Sequence, residues 1–284
     1  MTSPREGGTR YVLPALVLLS VVTVYPLFYL VYLSLHKKLL IFGISRFVGL
    51  ENYLFLVNDG RFWNAFKNTA YFTAVSVSME LVLGLVAALL LARPFFGTGI
   101  VRAAILLPWV VPTVVSARMW EWIYNSDVSI LNYLLHTKIN WLGSPFWAIN
   151  AAILVDVWKT APFVAILLLG GLTVIPKEFY QAAGLDGAGS WSRFRYITLP
   201  LLRPVIFVAL IFRTLDAVRV FDAIFVLTGG GPADTTETLS IYAYKILFQT
   251  LQFGYGSTIA MVVFVVMAMI SLVYIKVATV EGRS

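Results

Sequence analysis

The sequence predicts an all-α membrane protein with six transmembrane helices, and three observations carry that prediction. Of its 284 residues, 60% are hydrophobic and only 12% charged, against about 25% charged in a soluble domain. Six windows are each long enough to cross about 30 Å of hydrocarbon, which takes about 20 apolar residues. Arginine and lysine, which outnumber acidic residues to give a net charge of +7, gather in alternate connections between those windows, as topology-setting charges do.

The windows lie at about 11–35, 68–92, 100–124, 146–172, 201–228 and 255–280. The first is too long for a signal-peptide core and has no small-residue cleavage site after it, so it reads as a true span. An even number of spans puts both termini on one side. Ten basic residues fall there: Arg5, Arg10, Arg93, Arg102, Lys177, Arg193, Arg195, Arg203, Lys276 and Arg283. The opposite side carries seven, five of them in the long connection after the first span, where charge weighs less on topology. Both termini are therefore expected in the cytoplasm.

Tyr11, Trp63, Trp141 and Trp147 sit near window ends and read as an interfacial belt. The third window contains "LPWVVPTVV", with Pro108 and Pro112 four apart. A proline inside a helix frees backbone carbonyls, which membrane proteins tolerate where protein or a cavity satisfies them. This predicts a kink in the third helix, serving either packing or a gate.

Nine ionisable residues fall inside the windows at apparent membrane depth, away from their ends: Glu80, Arg118, Glu121, Asp156, Lys159, Arg213, Asp216, Arg219 and Asp222. At about 3 kcal/mol each, exposing them all to lipid costs about 27 kcal/mol, more than a domain's whole stability. They must face protein or water. Arg118/Glu121, Asp156/Lys159, Arg213/Asp216 and Arg219/Asp222 are opposite-sign pairs at i, i+3, neighbours on a helical face. Such pairs either clamp helices together or line a hydrated cavity. In the second reading Asp156, Lys159, Arg213 and Asp216 hydrogen-bond a hydroxyl-rich solute, with Trp120 or Trp158 offering a ring face. Neutral pairing argues against a path for ions of one sign. Glu80 is the leftover charge, read as a buried hydrogen-bonded carboxyl or, alternatively, as a proton relay.

With no cysteine and only His36 and His136, both in expected loops, metal and thiol chemistry have no residues to draw on, and an intramembrane enzyme lacks an activated nucleophile pair. Nucleic acid is a poor match for a chain this apolar. The absence of a GxxxxGK[ST] motif rules out ATP hydrolysis by a P-loop in this chain.

Between the fourth and fifth windows runs "IPKEFYQAAGLDGAGSWSRFRYITLPLLRP". Pro176 suits a helix start, Lys177 to Ala183 favour helix, and Gly184, Gly187 and Gly189 interrupt it. The small residues Ala182, Ala183, Gly184 and Gly187 permit close backbone approach, while Phe179, Tyr180, Leu185 and Trp191 exceed what an idle loop needs. The segment reads as a short knob seated in a partner's groove, or as an amphipathic piece lying on the bilayer.

This segment resembles the signature loop of ABC importer permeases, here Gln181-Ala182-Ala183, then Asp186-Gly187-Ala188, then Ile197-Thr198-Leu199-Pro200. "FVGLENY", "FKNTAYFT", "LGLVAALLLA", "LLPWVVPTVVSARMW" and "FDAIFVLTGGGPADTTETLSIYAY" extend the likeness over nearly the whole chain and look like the carbohydrate-uptake branch. "DVWKTAPF" followed by "FRTLDAVRVFD" is most similar to the F-type permease of trehalose and maltose importers.

The resemblance implies a single permease domain of the type I ABC importer (MetI-like) fold. It implies coupling to a separate ATPase through Gln181, Ala182, Ala183, Gly184, Asp186, Gly187, Ala188, Leu199 and Pro200. Gln181 stands where the family usually has Glu. Sugar-lining positions would be Asp156, Lys159 and Thr160 on the fourth helix, and Arg213, Ala217 and Val220 on the fifth, each set on one helical face. Gly229 to Pro232 would be the glycine-rich turn that ends the fifth helix.

The implied partners are a second homologous permease in a heterodimer, an ATPase dimer carrying ATP and Mg, an extracytoplasmic sugar-binding protein received by loops 36–66, 125–145 and 229–254, an α-linked disaccharide and membrane lipid. The implied location is the cytoplasmic membrane of a bacterium or archaeon, with no cofactor held by this chain. A proton-coupled secondary transporter, with Glu80 or Asp156 titrating, is the alternative.

Overall fold

The computed structural model describes residues 4–93, 96–125 and 129–281, with side chains from Val12 to Val277. The expected interfacial Tyr11 side chain and the topology charges Arg5, Arg10 and Arg283 lie outside that description. The described chain is helical apart from one hairpin, and it divides into two compact units.

The smaller unit comprises Met1–Trp63 and Tyr242–Val266. Helix α1 (Pro4–Ser34) is followed by strands β1 (His36–Leu39) and β2 (Ile44–Phe47), paired antiparallel with His36 opposite Phe47. The hairpin stands where the sequence predicts only a loop, and Gly43 in "LLIFGIS" takes a left-handed φ of 61° that turns it. Helix α2 (Glu51–Val57) leads into α3 (Gly60–Leu91). At that junction the Asp59 carboxylate accepts hydrogen bonds from the Tyr242 and Tyr255 hydroxyls, and its oxygen also takes the Arg61 backbone N–H at 2.9 Å. Asp59 thereby holds the start of α3 to the chain that returns near the C-terminal helix.

The larger unit comprises Asn64–Ile241 and Met267–Ser284. After α3 come α4 (Thr98–Val110), α5 (Thr113–Ile123), α6 (Ile130–Leu135) and α7 (Pro145–Val174). They are followed by α8 (Lys177–Leu185), α9 (Ser190–Arg193), a π-helical turn over Phe194–Thr198 and α10 (Leu199–Val218). Then comes α11 (Asp222–Leu227), followed by α12 (Leu239–Tyr244), which runs into the smaller unit, where a second π-helical turn over Lys245–Gln249 and the first half of α13 (Phe253–Glu281) lie.

Helix α7 is the centre of this unit: half of its apolar window is buried inside the chain. Ala151, Ala152, Val155 and Val157 pack in one cluster with Phe72 of α3 and Ile224 of α11, and Val164 and Leu168 pack in another with Ala88 and Leu202. Small residues let membrane helices approach closely. Gly84 of α3 shows the need, since a Cβ there would lie 2.6 Å from Val164 Cγ1.

Among the described residues, four helices are long and apolar enough to cross a membrane: the stretches Val12–Ser34, Gly60–Leu91, Pro145–Val174 and Phe253–Val277. The expected third span is not one kinked helix. It breaks into α4 and α5, which meet at 92°. Pro108 is accommodated inside α4, but Val111 and Pro112 are extended at ψ 133° and 139°. The pre-proline clash that drives Val111 out of the helical region explains why the break falls there. The expected fifth span is also broken, into α10 and the short α11. Its shaft carries Arg203, Arg213 and Asp216, so by composition it is less apolar than a lipid-facing helix.

Of the expected interfacial tryptophans, Trp63 is part-exposed and donates Nε1–H to the Val57 carbonyl. Trp141 departs from expectation: it is buried and donates to Asn132 Oδ1 at 3.0 Å. The Asn132 side chain also takes the Thr137 hydroxyl and the Ile139 N–H, so it gathers the whole 132–141 loop around one amide and pulls the indole in.

Candidate functional site

Arg213 lies on the inward face of α10 and is 4% exposed. A buried guanidinium is stable only when its donors are satisfied, and here three carboxylates from three helices satisfy them. Nε donates to Glu80 Oε2 at 2.5 Å and Nη2 to Glu80 Oε1 at 2.9 Å, a two-pronged contact with α3. Nη2 also reaches Asp156 Oδ2 on α7 at 3.2 Å, and Nη1 reaches Asp216 Oδ2 at 2.6 Å. The Thr160 hydroxyl sits 2.7 Å from Glu80 Oε1 and 2.6 Å from the Asp156 carbonyl. Asp216 additionally accepts from Arg219 Nη2 at 3.2 Å.

Two of the expected i, i+3 pairs form: Arg213–Asp216, and Arg118–Glu121 at 2.6 Å. Two do not form among the described residues. Arg219 turns back to Asp216 rather than to Asp222, because α10 ends at Val218 and the chain leaves the helical face on which Asp222 was counted. Lys159 does not pair with Asp156. Its ammonium donates to the Val111 carbonyl at 2.5 Å and lies 3.4 Å from that of Trp109. Those carbonyls lose helical partners where α4 breaks, so the lysine supplies the donors the missing turn would have provided.

Glu80 is the buried hydrogen-bonded carboxyl of the first reading, with no exposed surface and both oxygens engaged. Its partners lie 80 and 133 residues away, which is why no local spacing shows them.

Above this cluster opens a cavity of about 290 Å³. Its wall includes Asp156, Lys159, Thr160, Asp216, Ala217 and Val220, six of the nine residues expected to line a solute path. Arg213 lies beneath the wall, its guanidinium taken up by carboxylates. Trp120 and Trp158 are not on the wall; they meet edge to face at 5.6 Å, and Trp120 also packs on Tyr124 at 5.4 Å. Sequence reasoning missed Thr113, Arg219, Phe221, Asp222 and Ala223 as lining residues. Their common signal is the two interruptions: Thr113 follows the α4–α5 break, and Arg219 and Phe221 to Ala223 lie at the α10–α11 break. Irregular backbone at membrane depth is tolerated where it lines a cavity, and both breaks open onto this one.

The segment expected to couple to a partner is a self-braced knob. Helix α8 runs through Gly184 to Leu185, two residues beyond the expected end. Gly187, at φ 75°, turns the chain, while the Asp186 and Ala188 N–H groups return to the Ala182 and Ala183 carbonyls. Arg193 Nε donates to the Ala188 carbonyl at 3.0 Å, closing the loop. Gln181, Ala182 and Gly184 are exposed, as are Phe179 (51%) and Leu185 (92%). Leu199 and Pro200 form the first turn of α10, where a proline costs no hydrogen bond.

Residues 80–282 match the model of the binding-protein-dependent transport system inner membrane component. The chain is 44% identical over 279 residues to the trehalose/maltose transport system permease protein MalF of Thermococcus litoralis, covering 96% of this chain and 94% of that one. It is 39% identical over 269 residues to the sulfoquinovosyl glycerol transport system permease protein SmoG of Agrobacterium fabrum, covering 93% and 87%. A crystal structure of a bacterial ABC transporter that imports alginate superposes with a TM-score of 0.84 at 22% identity, over 95% of this chain and 94% of that chain. The resemblance read from the loop motifs thus holds along the whole length, and the chain belongs to the family of binding-protein-dependent transport system inner membrane components, as an ABC transporter permease subunit rather than an enzyme.

Proposed function

We propose that this chain is a transmembrane subunit of an ABC importer that carries a sugar, an α-linked disaccharide such as trehalose or maltose, across the cytoplasmic membrane. The observation that carries the reading is the cavity at the two helix breaks, in a chain so similar to a trehalose/maltose permease. Asp156, Lys159, Thr160 and Asp216 supply hydrogen-bond acceptors and donors suited to neutral hydroxyls, while Ala217, Val220 and Phe221 supply apolar surface for a sugar face. The formal charges nearly cancel: Glu80, Asp156, Asp216 and Asp222 against Lys159, Arg213 and Arg219. A neutral polyol suits such a site better than an ion does.

The cavity's 290 Å³ falls at the lower end of the about 300–1,000 Å³ of small-molecule sites, so a disaccharide calls for a second wall. A homologous permease in a heterodimer would supply it. Helix α1, apolar all round and only 6% buried over its apolar window, has surface to give to lipid or to that partner.

The knob from Gln181 to Ala188 would sit in a cleft of a separate ATPase dimer that binds ATP and Mg. Closure of that dimer would move the knob, and the permeases would rock about the midplane site to alternate its access. An extracytoplasmic binding protein would deliver the sugar to the loops at 36–66, 125–145 and 229–254. The chain would cross six times, α10 with α11 included, with both termini in the cytoplasm. Glu80 has no free oxygen for a proton relay, which disfavours it as the titrating group of the proton-coupled alternative and leaves Asp156 for that role.

The test is uptake of labelled trehalose by the reconstituted complex, competed by a panel of sugars. Competition by maltose and trehalose, with no effect of uncouplers, is the expected result. Uptake by this chain without the ATPase would overturn it.

A further inference from the structure

A second cavity, of about 510 Å³, opens at the foot of the knob. Leu89 of α3 and Arg93, two residues past its end, form one side, Trp191 and Arg193 of α9 another, and Tyr180 and Thr198 also contribute to its wall. Two arginines and no carboxylate stand among the residues lining it. The Arg193 guanidinium is fixed through Nε on the Ala188 carbonyl, and its two outer nitrogens make no hydrogen bond among the described residues. Arg93 makes no side-chain hydrogen bond or ion pair there either. The Tyr180 and Thr198 hydroxyls, 3.0 Å apart, keep each other occupied.

We propose that this cavity seats the phosphate headgroup of an anionic phospholipid. Its depth is the first argument. The apolar stretch of α3 ends at Leu91, so Leu89 stands at the end of that stretch and Arg93, two residues past the helix, stands where the chain leaves the hydrocarbon and headgroups begin. Trp191, 73% exposed, is the ring type that favours this level. Charge is the second. Two guanidiniums with free donors match a phosphodiester, and basic pockets between membrane helices take such headgroups. Acyl chains would then follow Leu89 down the side of α3. Of the four apolar residues read as docking surface, Tyr180 and Trp191 line the cavity and Phe179 and Leu185 do not, so the lipid would take the Tyr180 and Trp191 side of the knob and leave Phe179 and Leu185 to the ATPase. A lipid bridging α3 to α9 would brace the knob from the membrane side. The inference rests on α3 as a membrane span and not on the sugar reading.

The experiment follows Trp191 fluorescence in the purified full chain, with Trp191→Phe subtracted, as brominated phosphatidylglycerol or brominated phosphatidylcholine is added at equal mole fraction. Two arginines at a charged surface predict about tenfold or stronger preference for the anionic lipid in half-saturation of quenching. Arg93→Gln is expected to remove most of that preference. Equal quenching by the two lipids in the unaltered protein overturns the proposal, whether or not the variant folds. Relief of quenching by inorganic phosphate would make this a site for soluble anions and overturn it too. Loss of quenching when the partner ATPase is added would assign the cavity to the ATPase instead.

Discussion

Arg213 on α10 grips Glu80 on α3 through two nitrogens, at 2.5 and 2.9 Å, with neither side chain more than 4% exposed. The pair joins two helices across α7, whose Asp156 and Thr160 complete the contact. Removing one partner from such a pair leaves an uncompensated buried charge.

Glu80→Ala is therefore expected to destabilise the chain by about 3–5 kcal/mol, seen as lost monodisperse protein on size-exclusion chromatography in detergent. Glu80→Ala combined with Arg213→Met should recover part of the yield, since no charge then stands alone. A single variant as stable as the unaltered chain would show that the pair does not hold α3 to α10.

Asp156 has one oxygen toward Arg213 and stands on the cavity wall. Asp156→Ala should cut sugar uptake by about tenfold or more, the loss of one hydrogen bond worth about 1.4 kcal/mol, while the ATPase still copurifies. Loss of assembly together with uptake would mark Asp156 as a clamp only.

Leu185 is exposed on the knob and can be changed without touching the fold of this chain. Leu185→Glu should abolish copurification of the ATPase and leave the melting temperature of the isolated permease within about 1 °C, as surface substitutions do. Retention of the ATPase would remove the knob from the proposed interface.

Asp59 lies outside the spans. Burial raises its pKa, but hydrogen bonds from Tyr242, Tyr255 and the Arg61 and Phe62 backbone outweigh that and hold the carboxyl below its ordinary 3.8. A depressed folded value means stabilisation present above about pH 4 and lost as pH falls through the lowered value. Asp59→Asn should lower the melting temperature near neutral pH, and the gap between variant and unaltered protein should narrow below pH 4. A gap independent of pH would show that the charge of Asp59 contributes nothing.

Much of this was legible in the sequence because it rests on local rules. Span length, the knob's helix and glycine turn, and the Arg118–Glu121 and Arg213–Asp216 pairs all depend on neighbours within a few residues. Lys159 and Arg219 were paired wrongly for the same reason: i, i+3 counting assumes an unbroken helix, and both partners were settled at a break. Glu80 could be recognised as buried, but not matched to Arg213, because nothing in the chain's local pattern points across 133 residues. The hairpin at 36–47 was hidden because four-residue strands carry too short a pattern to stand out beside a long apolar span.

The two interruptions at 111–112 and 219–221 place helix ends, rather than helix flanks, around the central cavity. Thr113, Arg219, Phe221 and Asp222 at those ends keep exposed surface, while the shafts of α3, α7 and α10 are tied by close packing at Gly84 and by the Arg213 cluster. A lineage can thus revise the groups that greet a new cargo without renegotiating the frame that moves. Tailoring and machinery are separable in this scaffold.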